Sequence, residues 1–185
     1  MPQERITVMG LGNPLMRDEG IGPRVAEVLM DGFVFPDNVT VLDAGTMGMS
    51  ILNLFQDADY MLVVDAIDGT GEEPGTVVRL DPEDLAPNQV LHSLHDIRFV
   101  DVLQAAELMG AKVVGECVAV QIQDMSEMSI GLTPAVEAAV PAAVAAVLTV
   151  LAEHGVQITP REGTTADAQV LSSLRGFGEM PGRGD

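Results

Sequence analysis

Gly10-Leu-Gly-Asn-Pro-Leu-Met-Arg-Asp-Glu-Gly-Ile-Gly22 is the stretch whose reading decides the fold. It follows a short apolar run, Ile6-Thr-Val-Met9, and precedes Ile21, Val25, Val28 and Leu29, which share one helical face. The order is therefore strand, glycine-rich loop, helix. Loops of this kind commonly cradle phosphate, because glycines let backbone N–H groups approach it at a helix N-terminus. Here Asp18 and Glu19 stand at the mouth of the helix and would repel a phosphate. The same two carboxylates suit a metal ion or a peptide. As a dinucleotide fingerprint the loop also fails, since Leu15 occupies the place of the third glycine.

Further apolar runs repeat the alternation. Val39-Thr-Val-Leu42 reads as a second strand ending at Asp43-Ala-Gly-Thr46, and Met47 to Phe55 as a helix. Tyr60-Met-Leu-Val-Val64 is a third strand that stops at Asp65. Continuous apolar strands separated by helices imply a parallel sheet covered on both faces. Thr76 to Leu80 reads as a short strand at a sheet edge, marked by Arg79. Asp81 to Leu94 is irregular, and a helix is expected from His95 or Asp96 to Met109, closed by Gly110. Val113 to Ile122 is a further strand. The last helix takes Thr133 as N-cap and Pro134 at its first position, bends at Pro141 and ends at His154-Gly155. Residues 1–158 thus read as one domain, and 159–185 as a polar, Gly-rich tail expected to be mobile, with Val170 to Phe177 as a short docking turn.

Composition narrows the function. Of 185 residues, 47% are hydrophobic but 3% aromatic, with no Trp, so aliphatic residues and 11 Met must fill the core. That leaves little for a base-stacking surface. Nine Lys and Arg against 28 Asp and Glu give a net charge of −19, which opposes binding to DNA or RNA. Cys117 is the sole cysteine, which excludes an internal disulfide and a cysteine-based metal site. The start of the chain lacks the basic region and apolar core of a signal peptide. Ala135 to Leu151 carries Glu137 and Pro141 and suits a buried helix better than a membrane span. A cytoplasmic protein with neither nucleic-acid nor membrane partners is expected.

In an open parallel sheet, ligands bind beyond the carboxyl ends of the strands, near the point where strand order reverses. Asp18 and Glu19 follow strand one, Asp43 follows strand two, and Asp65 and Asp68 follow strand three. All leave the sheet on one edge, and His92 and His95 lie where a helix begins. Carboxylate oxygens with an imidazole nitrogen suit zinc or nickel better than calcium. Structural roles fit several of these residues equally. Asp18 reads as a helix N-cap, Glu19 as a first-turn acid, and Asp43 and Asp65 as loop starters. His154 reads as a favourable charge at a helix C-terminus, and Cys117 as a small core residue. No Gly-x-Ser-x-Gly occurs, so nothing suggests a Ser-His-Asp apparatus.

Two families open with similar loops. Gly10-Leu-Gly-Asn-Pro14 is similar to the loop of peptidyl-tRNA hydrolases, but their catalytic histidine has no counterpart before His92, and the charge opposes tRNA. The fuller resemblance is to the hydrogenase maturation endopeptidases. It rests on Gly10 to Pro14 with Asp18-Glu-Gly-Ile-Gly22, Asp43-Ala-Gly-Thr46, Val64-Asp-Ala-Ile-Asp-Gly69, Gly75-Thr76, His95 ahead of Asp101-Val-Leu103, and Gly131-Leu-Thr-Pro134. It covers Ile6 to Val156; Ala44 replaces a usual glycine.

This resemblance implies a three-layer α/β/α sandwich around a twisted, mostly parallel sheet of about five strands. It implies an endopeptidase that removes the C-terminal peptide of a nickel–iron hydrogenase large-subunit precursor after nickel insertion. Glu19, Asp65 and His95 take the metal-recognising and catalytic roles, with His92 as the fallback for the histidine and Asp43 as a secondary site. The nickel comes with the substrate, and zinc or cadmium suits the same donors. A non-catalytic, metal-checking chaperone of the same subunit is the alternative, and a nucleotide-binding module a more distant one.

Overall fold

β1 (Ile6–Leu11) is buried along its whole length and forms the inner spine of the sheet. The computed structural model describes residues 3–45, 47, 54, 57–81, 107–108, 110, 114–126 and 128–161. After β1 come a 3-10 turn (Arg17–Gly20), α1 (Ile21–Gly32), β2 (Phe33–Val34), β3 (Val39–Gly45), β4 (Tyr60–Ile67), β5 (Val77–Leu80), β6 (Val114–Gln121), α2 (Pro134–Glu153) and β7 (Thr159–Pro160). Five strands form one sheet in the order β3-β1-β4-β6-β5. The β1–β3, β1–β4 and β4–β6 pairs are parallel, and β5 runs antiparallel on β6 at the edge, where Arg79 placed it. The chain steps from β1 outward to β3 and then crosses to β4 on the other side of β1. That reversal puts the topological switch point between β1 and β4.

Both faces of the sheet are buried. Ile6, Val8, Leu62, Val64, Val118 and Val120 pack against α1 and α2, while Met9, Met61, Val63, Cys117 and Ala119 form a second core on the opposite face. The period of two explains the split, because neighbours in one strand point to opposite sides. Cys117 is a core residue as expected, and burial pushes its thiol well above the ordinary range.

Several expected boundaries move. β3 runs to Gly45 and β4 to Ile67, so Asp43 and Asp65 lie within strands and are not loop starters. The cause is tertiary. Gly10 of β1 pairs with Asp43, and Ala119 of β6 pairs with Asp65, so the ladders continue past the apolar runs. α2 continues unbroken through Pro141, held by a buried face that includes Val140, Ala143, Val144 and Val147. Its 20 residues and mean hydropathy of 2.1 are enough to cross a membrane, yet most of the helix is buried against β5, β6 and α1. At its end His154 does more than meet the helix terminus. Its Nδ1 lies 2.8 Å from Glu4 and its ring centroid 4.0 Å from that of Tyr60. Tyr60 in turn donates to buried Glu116, which Arg79 also holds at 3.1 Å.

β7 pairs antiparallel with β2, and the Arg161 N–H donates to the Gly32 carbonyl at 2.8 Å, so packing reaches a few residues past Ile158. The helices expected over Met47 to Phe55 and from His95 or Asp96 to Met109, the Asp81 to Leu94 loop, and the tail with Val170 to Phe177 fall outside the described residues, isolated positions excepted.

Candidate active site at the carboxyl edge of the sheet

The glycines of the first loop serve close packing of backbone on backbone. A Cβ on Gly12, whose φ is +138°, would stand 1.8 Å from the Glu19 carbonyl oxygen. One on Gly22 would meet the Leu11 carbonyl oxygen at 2.0 Å and that of Val64 at 2.5 Å. Only glycine lets the strand end, the 3-10 turn and the start of α1 approach so closely. The turn folds back over the carboxyl edge and touches β4 beside the switch point.

That fold-back buries Glu19, which is 5% exposed. Its Oε1 has no hydrogen-bond partner among the described residues. Desolvation raises its carboxyl above the usual glutamate range. A buried carboxylate oxygen without a hydrogen-bond partner is costly for a protein to keep, which makes it a candidate contact for a ligand. A divalent cation is the ligand that a carboxylate oxygen in this setting accepts most readily.

Asp18 has a different role from the expected helix cap. The N-cap position of α1 is Gly20, and no side chain caps it. Asp18 is fully buried and accepts from groups more than a hundred residues away in the chain. The backbone N–H of Thr133 donates to Oδ1 at 2.6 Å; those of Gln123 and Asp124 donate to Oδ2 at 3.0 and 2.9 Å. The Thr133 hydroxyl adds a fourth bond at 3.0 Å, so it serves Asp18 and not the helix it precedes. Arg17, at a left-handed φ of +55°, pairs with Asp124 at 2.8 Å, and its N–H reaches the Ser129 carbonyl. The segment after β6 is thus a wall of the site. Sequence reasoning passed over Asp124, Ser126 and Ser129; the polar run Gln123-Asp-Met-Ser126 directly after an apolar strand was the available signal.

The remaining acids divide by sheet face. Asp65 lies one residue past the last β1–β4 pair, at the switch point, and shares its face with Val63 and Met61. Its Oδ1 accepts from the Ala66 N–H. Asp43 is in register with Gly10 and alternates with Val41 and Val39, on the α1 face. It borders a pocket of about 440 Å³ together with Pro14, Arg17, Pro23, Arg24 and Ile130, and neither Glu19 nor Asp65 lines that pocket. Asp65 thus stands at the switch point on the face opposite Asp43, and Glu19 lies in the turn that contacts β4. Asp68 is occupied structurally, accepting from Gly69 N–H at 2.7 Å and from the Gln121 amide at 3.3 Å. His95 and His92 lie outside the described residues, and among the described residues no three candidate donors converge on one point.

Comparison with known proteins agrees with this architecture. The family described as HycI, hydrogenase maturation protease, matches residues 23–150. The hydrogenase 2 maturation protease of Escherichia coli K12 is 38% identical over 161 residues, covering 85% of this chain and 97% of its own. The hydrogenase expression/formation protein HupD of Bradyrhizobium diazoefficiens is 37% identical over 175 residues, covering 90% and 88%. Among solved structures, the hydrogenase maturating endopeptidase HybD from E. coli superposes with a TM-score of 0.76 at 37% identity, covering 86% of this chain and 99% of its own.

Proposed function

The chain belongs to the hydrogenase maturation protease family, and from that premise we propose that it cuts the C-terminal peptide from a nickel–iron hydrogenase large-subunit precursor once nickel is in place. The nickel belongs to the substrate, and the protease reads it. Glu19, Asp65 and His95 form the reading and cutting site, with His92 as the fallback for the histidine and Asp43 as a secondary residue. The observation that carries this assignment is the buried Glu19 Oε1, without a hydrogen-bond partner among the described residues, in the turn that contacts β4.

Nickel carried by a docked precursor would supply Lewis-acid chemistry, to polarise the scissile carbonyl or activate a water. This chain's residues supply the rest. Glu19 and Asp65 hold negative charge at the crevice, and the backbone packing at Gly12 and Gly22 keeps Glu19 at the sheet edge. The His95 imidazole adds the nitrogen donor that nickel, zinc or cadmium prefers over an all-oxygen site. A chaperone that only checks the metal is not favoured, because the matched family is one of proteases. The chain's single cysteine fits work in the cytoplasm, where disulfides are rare.

The test is trimming of purified precursor, nickel-loaded and nickel-free, by wild type and by Glu19→Gln, Asp65→Asn and His95→Ala. Wild type trims the loaded form and spares the other, and each variant loses trimming. Equal trimming of both forms would remove nickel recognition from the reading. Full activity in Glu19→Gln would remove the site assignment.

A further inference from the structure

Glu19 cannot owe its position to bonds of its own Oε1, which has no partner among the described residues. Whatever fastens the turn that carries it therefore bears on its position. That turn is four residues long, starts from a strained left-handed Arg17, and has no side-chain cap. The adjacent Asp18 carboxylate is where the turn is fastened, with four bonds of 2.6 to 3.0 Å to Gln123, Asp124 and Thr133. Both oxygens are engaged and the residue is fully buried, so neither is open to a substrate. Bonds to an ionised acceptor in a dry site are short and strong, and they join three chain segments at one point. These segments are the β1–α1 turn, the exit of β6 and the start of α2.

We propose that Asp18 is a positioning residue for nickel recognition. By clamping the turn to the β6 exit and to Thr133, it pre-aims the Glu19 carboxylate before the metal arrives. The inference rests on Glu19 facing the substrate's nickel. A carboxylate whose Oε1 has no partner among the described residues would otherwise swing to solvent or collapse onto a neighbouring donor. Supporting partners of this kind typically govern metal affinity by about 10- to 100-fold.

The experiment measures binding of nickel-loaded and nickel-free precursor, made uncleavable at its scissile position, to the full chain. The readout is the ratio of the two dissociation constants. Loss of fold weakens binding of both forms alike, whereas loss of aim removes the preference for the loaded form. Asp18→Asn sets an NH₂ group either against the Thr133 N–H or against those of Gln123 and Asp124. The expected result is a ratio lowered by about tenfold or more, approaching that of Glu19→Gln. Thr133→Val deletes one bond and lowers the ratio less, and Thr133→Ser, which keeps the hydroxyl, restores it. If Asp18→Asn does not fold, the Val and Ser variants decide the matter by the same ratio. A ratio unchanged in Asp18→Asn or Thr133→Val while Glu19→Gln lowers it overturns the positioning role alone. A ratio unchanged in Glu19→Gln overturns the reading of Glu19, and the inference with it.

Discussion

Replacing Glu19 by Gln should make the metal-free protein more stable while it destroys function. The side chain is 5% exposed, and its Oε1 has no partner among the described residues. Leaving a buried polar group unsatisfied costs about 1–3 kcal/mol, more when it is charged. Gln keeps the shape and removes the charge, but its amide nitrogen still wants an acceptor, so the net gain should fall at the low end, about 1 kcal/mol. For a chain of this size that corresponds to a rise of about 2–4 °C in melting temperature.

The gain depends on pH. Burial raises the Glu19 carboxyl above its ordinary value, so the folded state binds this proton more tightly than the unfolded state. The penalty in wild type is complete above the raised value. It fades as pH falls through that value and is gone below the ordinary glutamate value of about 4.3. Urea unfolding of both proteins with a chelator present, at neutral pH and again near pH 4, measures the difference. A variant less stable than wild type at neutral pH, or an equal gain at both pH values, would refute the reasoning, because either result means the ionised carboxylate is already satisfied in the free protein.

Three other perturbations follow from the packing. Gly12→Ala places a Cβ 1.8 Å from the Glu19 carbonyl at a φ of +138°, so a loss of about 4 kcal/mol is expected in urea unfolding, together with loss of precursor trimming. Arg79→Met leaves Glu116, 8% exposed, without its cation and should cost about 3 kcal/mol; adding Glu116→Gln should recover part of it, and no recovery would show that the charge was not the cause. Asp124 is held below the usual carboxylate range by the Ser126 N–H and hydroxyl and by Arg17. Its contribution to stability is therefore present above about pH 4 and lost as pH falls through the lower folded value. Ser126→Ala should move the Asp124 titration, followed by carboxyl-carbon NMR, up toward about 3.9.

Legibility followed the range of the interactions. The loop from Gly10 to Gly22 announced a strand-to-helix turn because glycine spacing, apolar periodicity and the paired acids are local features. The edge position of β5 was legible from Arg79, and α2 from Thr133-Pro134 and its apolar length. Asp43 and Asp65 were read as strand terminators because an acid ends an apolar run. The ladders with Gly10 and Ala119 override that preference. The N-cap reading of Asp18 fails for a related reason. A carboxylate near a helix start commonly caps it, and the donors that claim this one lie beyond residue 120.

By itself, then, the sequence determined the alternation of apolar strands and helices, the edge of the sheet on which the acids gather, and a net charge of −19 that opposes phosphate and nucleic acid. Periodicity and net charge are sums over the chain and need no partners. Tertiary structure alone decided which acids share a place. One residue of register sends side chains to opposite faces of a strand, and this separates Asp65 from Asp43 although both end apolar runs. It also decided that, of two adjacent carboxylates, Asp18 is held by donors from the exit of β6 and the start of α2, while Glu19 keeps an oxygen unpartnered among the described residues. Such a difference arises only when distant backbone is brought within hydrogen-bond reach.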